Sequence, residues 1–590
     1  MLFSSTILLT LGSLSAAPSA WPPPPAKVAL CHRGHIIVVA APAVPAHLAH
    51  GDWLVTDELC ADGIDNDCDG ATDEDDAIDA LPWYADADGD GYGDSATEAF
   101  ACAAPSGWIA DGSDCDDGDA AINPAATEDE DTWADDDCDG LHDLNLAWAD
   151  AILIGETARD TFGSALASAG DQDRDGYGDL LIGACEWSSN RGRAYVVPGP
   201  VYGTWDVTAL ATATLSADAS WDRVGNQAAR AGDYDGDGQA DITLGAYADD
   251  GLGRWENGAG YVQYGPVTGS LTLPVDADLV TWGEAKGDWA GGVGNAGDVD
   301  GDGYDDLLRG AERADIGGSS SGAAYLFFGG PGLLGELDVV DADIRFVPPA
   351  RAAAGRAVTG VGDVDGDGLD DVVVSAHGYP DWAQTGAVYL FTGLAALSGD
   401  VDMEGAYTAR IVGEAASDTF GSWVAETPGD VNGDGYADLL VGAPQNDHTA
   451  SNAGAVYLFL GPLSGDYTTA DAWATWYGEA ASDGLAGSQV TFADIDGDGL
   501  SEIAFGSHYW TLLREPGAVY VVDDPQPGVH SAAEATWRLL GEPAVYQAGN
   551  VANAGDLDGD GLDDLVMAAP NGAYSTAGRA YVLYGASLSE

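Results

Sequence analysis

The chain has 590 residues and carries 99 Asp+Glu against 19 Lys+Arg, a formal net charge of −80. That charge repels a phosphate backbone and excludes nucleic acid as a partner, while 46% hydrophobic residues with 18 Trp and 24 Tyr exclude a solvated acidic tail. A compact fold so charged repels itself, so the acids are expected to surround bound cations.

Residues 1–20 read as a secretory signal: Leu2 to Leu14 is mostly apolar, and small residues run from Ser15 to Ala20. No later stretch approaches the roughly 20 apolar residues of a membrane span. Export implies an oxidising, calcium-rich compartment, which suits the seven cysteines; their odd number leaves at least one unpaired or intermolecular. Residues 21–56 are read as a stiff polyproline spacer, Pro22 to Pro25, and a small module. Four of the nine histidines fall there, in Cys31-His32-x-x-His35 and His47-x-x-His50. This module is either a small β-unit with exposed histidines or a zinc or copper site.

Residues 57–145 have a different grammar. Cys60, Cys68, Cys102, Cys115 and Cys138 are interleaved with runs such as Asp86-Ala-Asp88-Gly-Asp90-Gly and Asp137-Cys138-Asp139-Gly140. Calcium is a hard cation taking six to eight oxygens. In a tight loop, carboxylates at positions 1, 3 and 5 converge, glycine at 6 allows the turn, and an acid at 9 closes the shell. That rule marks Asp65/Asp67/Asp69/Asp73, Asp86/Asp88/Asp90/Asp94 and Asp135/Asp137/Asp139/Asp143 as calcium ligands. The segment resembles the bacterial MopE-type metal-binding repeat, itself akin to thrombospondin type 3 calcium repeats. On that pattern Cys60–Cys68 and Cys102–Cys115 are the expected bridges. Glu130 stands where the second repeat should have a cysteine, so Cys138 is left unassigned, as are Cys31 and Cys185. Copper is not carried over from the resemblance, because aspartate strings are hard ligands. With little apolar matter, metal and disulfides must hold this segment together.

Residues 146–590 are built on one recurring string, D-x-[DN]-x-D-G-x-x-[DE]. It begins at Asp171, Asp233, Asp298, Asp363, Asp430, Asp494 and Asp556, at intervals of 62, 65, 65, 67, 64 and 62 residues. An apolar run and a Gly-Ala-like pair follow each string. A strand centred on Tyr195, Tyr261, Tyr325, Tyr389, Tyr457, Tyr520 or Tyr581 comes next, and an apolar-Gly-Glu segment precedes several strings. Four short strands per unit of about 63 residues make a blade, so the fold class is all-β: a seven-bladed β-propeller preceded by a small disulfide- and calcium-stabilised loop-rich module. The predicted ligands of about seven propeller calcium ions are Asp171, Asp173, Asp175 and Asp179; Asp233, Asp235, Asp237 and Asp241; Asp298, Asp300, Asp302 and Asp306; Asp363, Asp365, Asp367 and Asp371; Asp430, Asn432, Asp434 and Asp438; Asp494, Asp496, Asp498 and Glu502; and Asp556, Asp558, Asp560 and Asp564. The loops are expected to cross-link two strands of each blade, and the tyrosines to pack between strands.

Phe420-Gly421 followed by Gly442-Ala443-Pro444, and Phe162-Gly163 followed by Gly183-Ala184-Cys185, make these units resemble the FG-GAP repeats of integrin α-chains. That resemblance implies a scaffold that binds a protein or glycan ligand at the cell surface or in the matrix; the chain is expected to be a monomer and not an enzyme. No inserted ligand-binding domain interrupts the repeats. Trp187, Trp205, Trp221, Trp255, Trp289, Trp382 and Trp510 either pack between blades or face a ligand. An extracellular polysaccharide- or lipid-acting enzyme is a second reading, against which stand the lack of a G-x-S-x-G elbow, of H-E-x-x-H and of clustered histidines. A calcium-storing envelope protein is a third; ten calcium ions would leave a net charge of about −60.

Overall fold

The computed structural model describes residues 27–588, apart from residues 34, 57–58, 61–64, 70, 73–74, 76, 127–134, 139–141, 381–382, 508–516, 543–544 and 573–576. The predicted signal, the Pro22–Pro25 spacer, Asp73, Asp139, Trp382 and Trp510 lie outside the described residues. The chain divides into two units, residues 1–127 with 136–138, and residues 128–135 with 139–590.

The second unit is a β-propeller. Among the described residues it holds seven five-stranded sheets. In one, Phe162–Gly170, Asp179–Ala184, Arg193–Pro198 and Ala213–Ala217 run antiparallel in turn. A fifth strand, Gly269–Leu273, then joins the outer edge in parallel, lent by the following repeat. That lent strand is a feature the four-strand reading of each repeat did not include. The second strand of each sheet is buried on both faces, as Asp179–Ala184 and Asp371–Ala376 are throughout, which explains its near-continuous apolar sequence.

The core lies between adjacent sheets. Leu181, Val196 and Leu215 pack against Ile242 and Leu244 of the next sheet. The ring closes through the chain's earlier segment. Ala151–Ile154 pairs antiparallel with Arg579–Leu583, and His142–Asn145 lies parallel to Trp537–Leu540. The innermost strand of the last sheet, Asn550–Gly555, packs against that of the first, Phe162–Gly170. Closure leaves no inner edge open to pair with another chain.

The repeated signatures acquire physical reasons. The glycine of Gly183-Ala184 faces the neighbouring sheet so closely that a Cβ would stand 2.1 Å from the Gly225 carbonyl oxygen. Phe162 and Phe420 pack edge-on against Tyr195 and Tyr457 at 5.6 and 5.5 Å. All seven strand tyrosines are fully buried. Three of the hydroxyls donate to glutamates, Tyr195 to Glu156 at 3.0 Å, Tyr520 to Glu479 at 2.7 Å and Tyr581 to Glu542 at 3.1 Å, whereas the Tyr325 hydroxyl is buried without a partner. Three acids of the apolar-Gly-Glu segments, Glu156, Glu479 and Glu542, are thus acceptors for buried phenols.

The first unit contains two small sheets. In one, Ile36–Ala40 and Trp53–Leu54 flank Lys27–Cys31; in the other, Asp94–Ala101 and Trp108–Ile109 flank Leu81–Ala85. Its disulfides are Cys31–Cys68, Cys60–Cys102 and Cys115–Cys138. The expected pairs Cys60–Cys68 and Cys102–Cys115 are therefore incorrect. Bridges within one repeat give way to bridges that tie successive segments: Cys31 fastens the N-terminal sheet to the first acidic loop, and Cys115 takes the partnerless Cys138. Cys185 is free and buried.

Leu153 is fully buried in the closing strand. Leu153→Ala is expected to cost about 2–5 kcal/mol, read as a lower unfolding midpoint of the whole propeller. Val529→Ala, at a 70% exposed position, should change it little.

Candidate metal loops and binding face

Each aspartate string bridges the innermost strand of a sheet and the next strand out, as Gly170 leads through the loop to Asp179. The glycine at position 6 takes a left-handed φ in all seven loops, from 81° at Gly238 to 95° at Gly176, a conformation costly for any other residue. Backbone N–H groups inside the loop gather the carboxylates. Oδ1 of Asp171 and of Asp173 both accept from the Asp175 N–H, at 3.1 and 3.2 Å. The same convergence recurs at Asp298/Asp300 on Asp302, Asp363/Asp365 on Asp367 and Asp430/Asn432 on Asp434.

The acid at position 9 has a role that spacing alone did not reveal. In every loop it accepts the N–H of position 2, at 2.6–2.9 Å, from Gln172→Asp179 to Leu557→Asp564. In five loops its other oxygen accepts a glycine N–H of the next turn: Gly199, Gly265, Gly329, Gly461 or Gly585. It therefore pins three backbone segments at once. Burial, reinforced by the other loop carboxylates, pushes Asp179 and Asp438 up to about 6, Asp241, Asp306, Asp371 and Asp564 to about 7, and Glu502 to about 8.

The loops also touch one another. The N–H at position 8 of one loop donates to the position-1 carbonyl of the preceding loop at six junctions: Asp305→Asp233, Asp370→Asp298, Ala437→Asp363, Ser501→Asp430, Asp563→Asp494 and Gly178→Asp556. At the remaining junction the Gln172 side-chain amide donates to Ala240 O at 2.7 Å. The loops thus link neighbouring sheets as well as the strands within one.

These groups fit a hard cation. Asp233 Oδ1 and Asp371 Oδ1 are buried without a hydrogen-bond partner, a state that costs free energy unless a positive charge faces it. In the first unit Asp65 and Asp67 repeat the propeller geometry on the Asp69 N–H, at 3.1 and 3.0 Å. Asp86, Asp88 and Asp90 offer oxygens within 4.8 Å of one another, and Asp88 does the same with Asp114 and Asp117. Oδ2 of Asp88, Asp90 and Asp114 are buried and unpartnered. Asp114 and Asp117 were not among the expected ligands; the run Asp114-Cys115-Asp116-Asp117 was the signal. Asp94 begins a strand and accepts from Ala96 N–H at 2.7 Å. Asp143 lies in the strand His142–Asn145, its carboxylate paired with Arg538.

The opposite ends of the innermost strands surround a cavity of about 470 Å³. Gln227, Arg356, Trp423, Gln489 and Asn550 contribute to its wall from five different sheets, with Trp289 beside them. Gln489 donates to Leu166 O at 3.2 Å, while its amide oxygen is buried without a partner. The Arg356 guanidinium lies 5.9 Å from the Trp423 ring centre, and both residues also border a second cavity of about 740 Å³ next to His377 and Gln445. Of the candidate tryptophans, Trp205, Trp221 and Trp255 are exposed. Trp187 and Trp289 are half-buried under Arg193 and Arg313, at 3.5 and 3.2 Å.

The FG-GAP repeat family matches residues 354–391, 422–459, 486–522 and 548–583. A family named for copper-binding MopE and described as a metal-binding motif matches 55–74 and 114–143. The chain therefore carries FG-GAP repeats on a propeller and segments that match a MopE-type metal-binding motif. It is 34% identical to integrin alpha-4 of Xenopus laevis over 141 residues, 23% of this chain and 12% of that protein. It is 29% identical to integrin alpha-V of Gallus gallus over 235 residues, 38% of this chain and 21% of that protein. The chain thus spans only a minor part of the length of these relatives. Among solved structures, the Dos1 propeller aligns over 72% of this chain and 83% of that one, at 9% identity and a TM-score of 0.39.

Peptide mapping without reductant should recover Cys31–Cys68, Cys60–Cys102 and Cys115–Cys138. A thiol reagent should find one further thiol, Cys185, reacting fast only after denaturation. Recovery of a Cys60–Cys68 peptide would refute this pairing.

Proposed function

We propose that this is a secreted or cell-surface recognition protein: a calcium-braced propeller that presents a protein- or glycan-binding face. The observation that carries the reading is the division of the propeller into two ends. The aspartate loops gather at one end of the innermost strands, and the polar, aromatic cavity opens at the other. The exposed rings of Trp221 and Trp255 lie in connections on the cavity side. Aromatic faces beside amides and an arginine suit sugar rings or a polar peptide. The three disulfides suit an oxidising compartment, and no helix among the described residues is long and apolar enough to cross a membrane.

Calcium is the cation proposed for the loops, held by the acids at positions 1, 3, 5 and 9 of each propeller string and, in the first unit, by Asp65/Asp67/Asp69 and by Asp86, Asp88 and Asp90 with Asp114 and Asp117. Its role is structural: it offsets repulsion among converging carboxylates and stabilises whatever those loops join. A site loaded at 100 times its dissociation constant adds about 2.7 kcal/mol. Scanning calorimetry should show a large fall in melting temperature after chelation, restored by Ca²⁺ and much less by Mg²⁺, which prefers strict octahedral sites. An unchanged melting temperature after complete calcium removal would sink the structural role.

The binding face is tested with a glycan and polysaccharide array, followed by pull-down from envelope extracts. Binding should weaken at least tenfold in Trp423→Ala and in Gln489→Ala, with calcium content and melting temperature unchanged. Binding that survives both substitutions would place the ligand elsewhere.

A further inference from the structure

We propose that His32, His47 and Asp52 form a site for a divalent transition-metal cation of the zinc class, separate from the aspartate loops. Three segments of the first unit meet there. His32 follows the strand Lys27–Cys31, His47 sits on the short helix Val44–Leu48, and Asp52 precedes the strand Trp53–Leu54 that pairs with Lys27–Cys31. The disulfide from Cys31 to Cys68 anchors this corner.

Both imidazoles address one carboxylate. His32 Nδ1 lies 2.7 Å from one oxygen of Asp52, and His47 Nδ1 lies 2.8 Å from the other. The rings meet edge to face, 6.3 Å between centres. Ligand atoms of all three residues lie within 4.8 Å of one another. The Asp52 side chain is 6% exposed, whereas those of His32 and His47 are 40% and 31% exposed. The carboxylate is thus held inward while the imidazoles keep a route to solvent.

The donor set decides the metal. Two imidazole nitrogens and one carboxylate suit zinc and its neighbours rather than calcium or magnesium, which prefer oxygen throughout. Cys31 is unavailable as a ligand because it is bridged. His35 and His50 are exposed and absent from the cluster. Three protein ligands leave a fourth position for water or an external donor, as in exchangeable zinc sites. An imidazole that binds a metal through Nδ1 carries its proton on Nε2, so loading needs Nδ1 freed of its proton. The site lies outside the metal-binding motif matched at 55–74 and 114–143.

The full-length oxidised protein, held in excess Ca²⁺ to fill the hard sites, is equilibrated with Zn²⁺ and its metal content measured. Co²⁺ is used in parallel for its strong visible absorption at four-coordinate sites. One zinc per chain should be retained, with the cobalt bands. Both should be lost in His32→Gln and in His47→Gln, and kept in the His35→Gln/His50→Gln double variant. Unchanged disulfide maps and melting temperatures in calcium show that the variants fold. No zinc on the unaltered protein, or full retention in a His32→Gln/His47→Gln double variant, would overturn the proposal.

Discussion

The buried acid at position 9 of each loop is the constraint on which the propeller rests. It must sit inside the fold to accept the backbone N–H of position 2 and, in five loops, the glycine N–H of the next turn. There it faces the other carboxylates of its own loop. Backbone donors lower its cost but do not cancel it, since burial still raises all seven acids to about 6–8. Protonation and cation binding are the two ways to relieve such a site; protonation turns one oxygen into a donor, whereas a cation leaves both oxygens able to accept from the loop amides. The large negative charge and the regular fold are therefore two aspects of one design.

Because the loops are joined through position 8 to the position-1 carbonyl of their neighbours, strain in one loop is felt at a sheet junction. The sheets already share a continuous apolar interior, with Leu153, Ile182 and Val566 meeting across the closing junction. The loop belt adds a polar layer to it at one end of the innermost strands. A rigid belt there leaves the other end free to vary in side chain without cost to closure, which is where Trp423, Gln489 and Arg356 meet.

The legible part of this architecture was the local part. A loop whose geometry is set by residues i to i+8 repeats in sequence as it repeats in space, so the positions of all seven strings, their glycines and the strand tyrosines followed from spacing alone. What was hidden depended on chain segments far apart. The fifth strand of five sheets comes from the next repeat, those of the last two come from His142–Asn145 and Gly203–Asp206 near the start of the propeller, and Ala151–Ile154 finds its partner at Arg579–Leu583. Cys60 pairs with Cys102 rather than with Cys68 eight residues away, and Asp114 and Asp117 reach Asp88 across a fold of the chain. Disulfide partners are set by which segments meet, and spacing within one repeat carries little of that information.

The same distinction applies to the histidines. Sequence clustering put four of them in one short segment, but clustering does not choose among them. The fold selects His32 and His47 by presenting both to the two oxygens of a single buried Asp52, a residue with no place in the cysteine–histidine pattern, and it removes Cys31 by oxidation. On the proposed assignments, hard oxygen loops and a nitrogen-rich corner within one chain differ enough in chemistry for each to take a different cation.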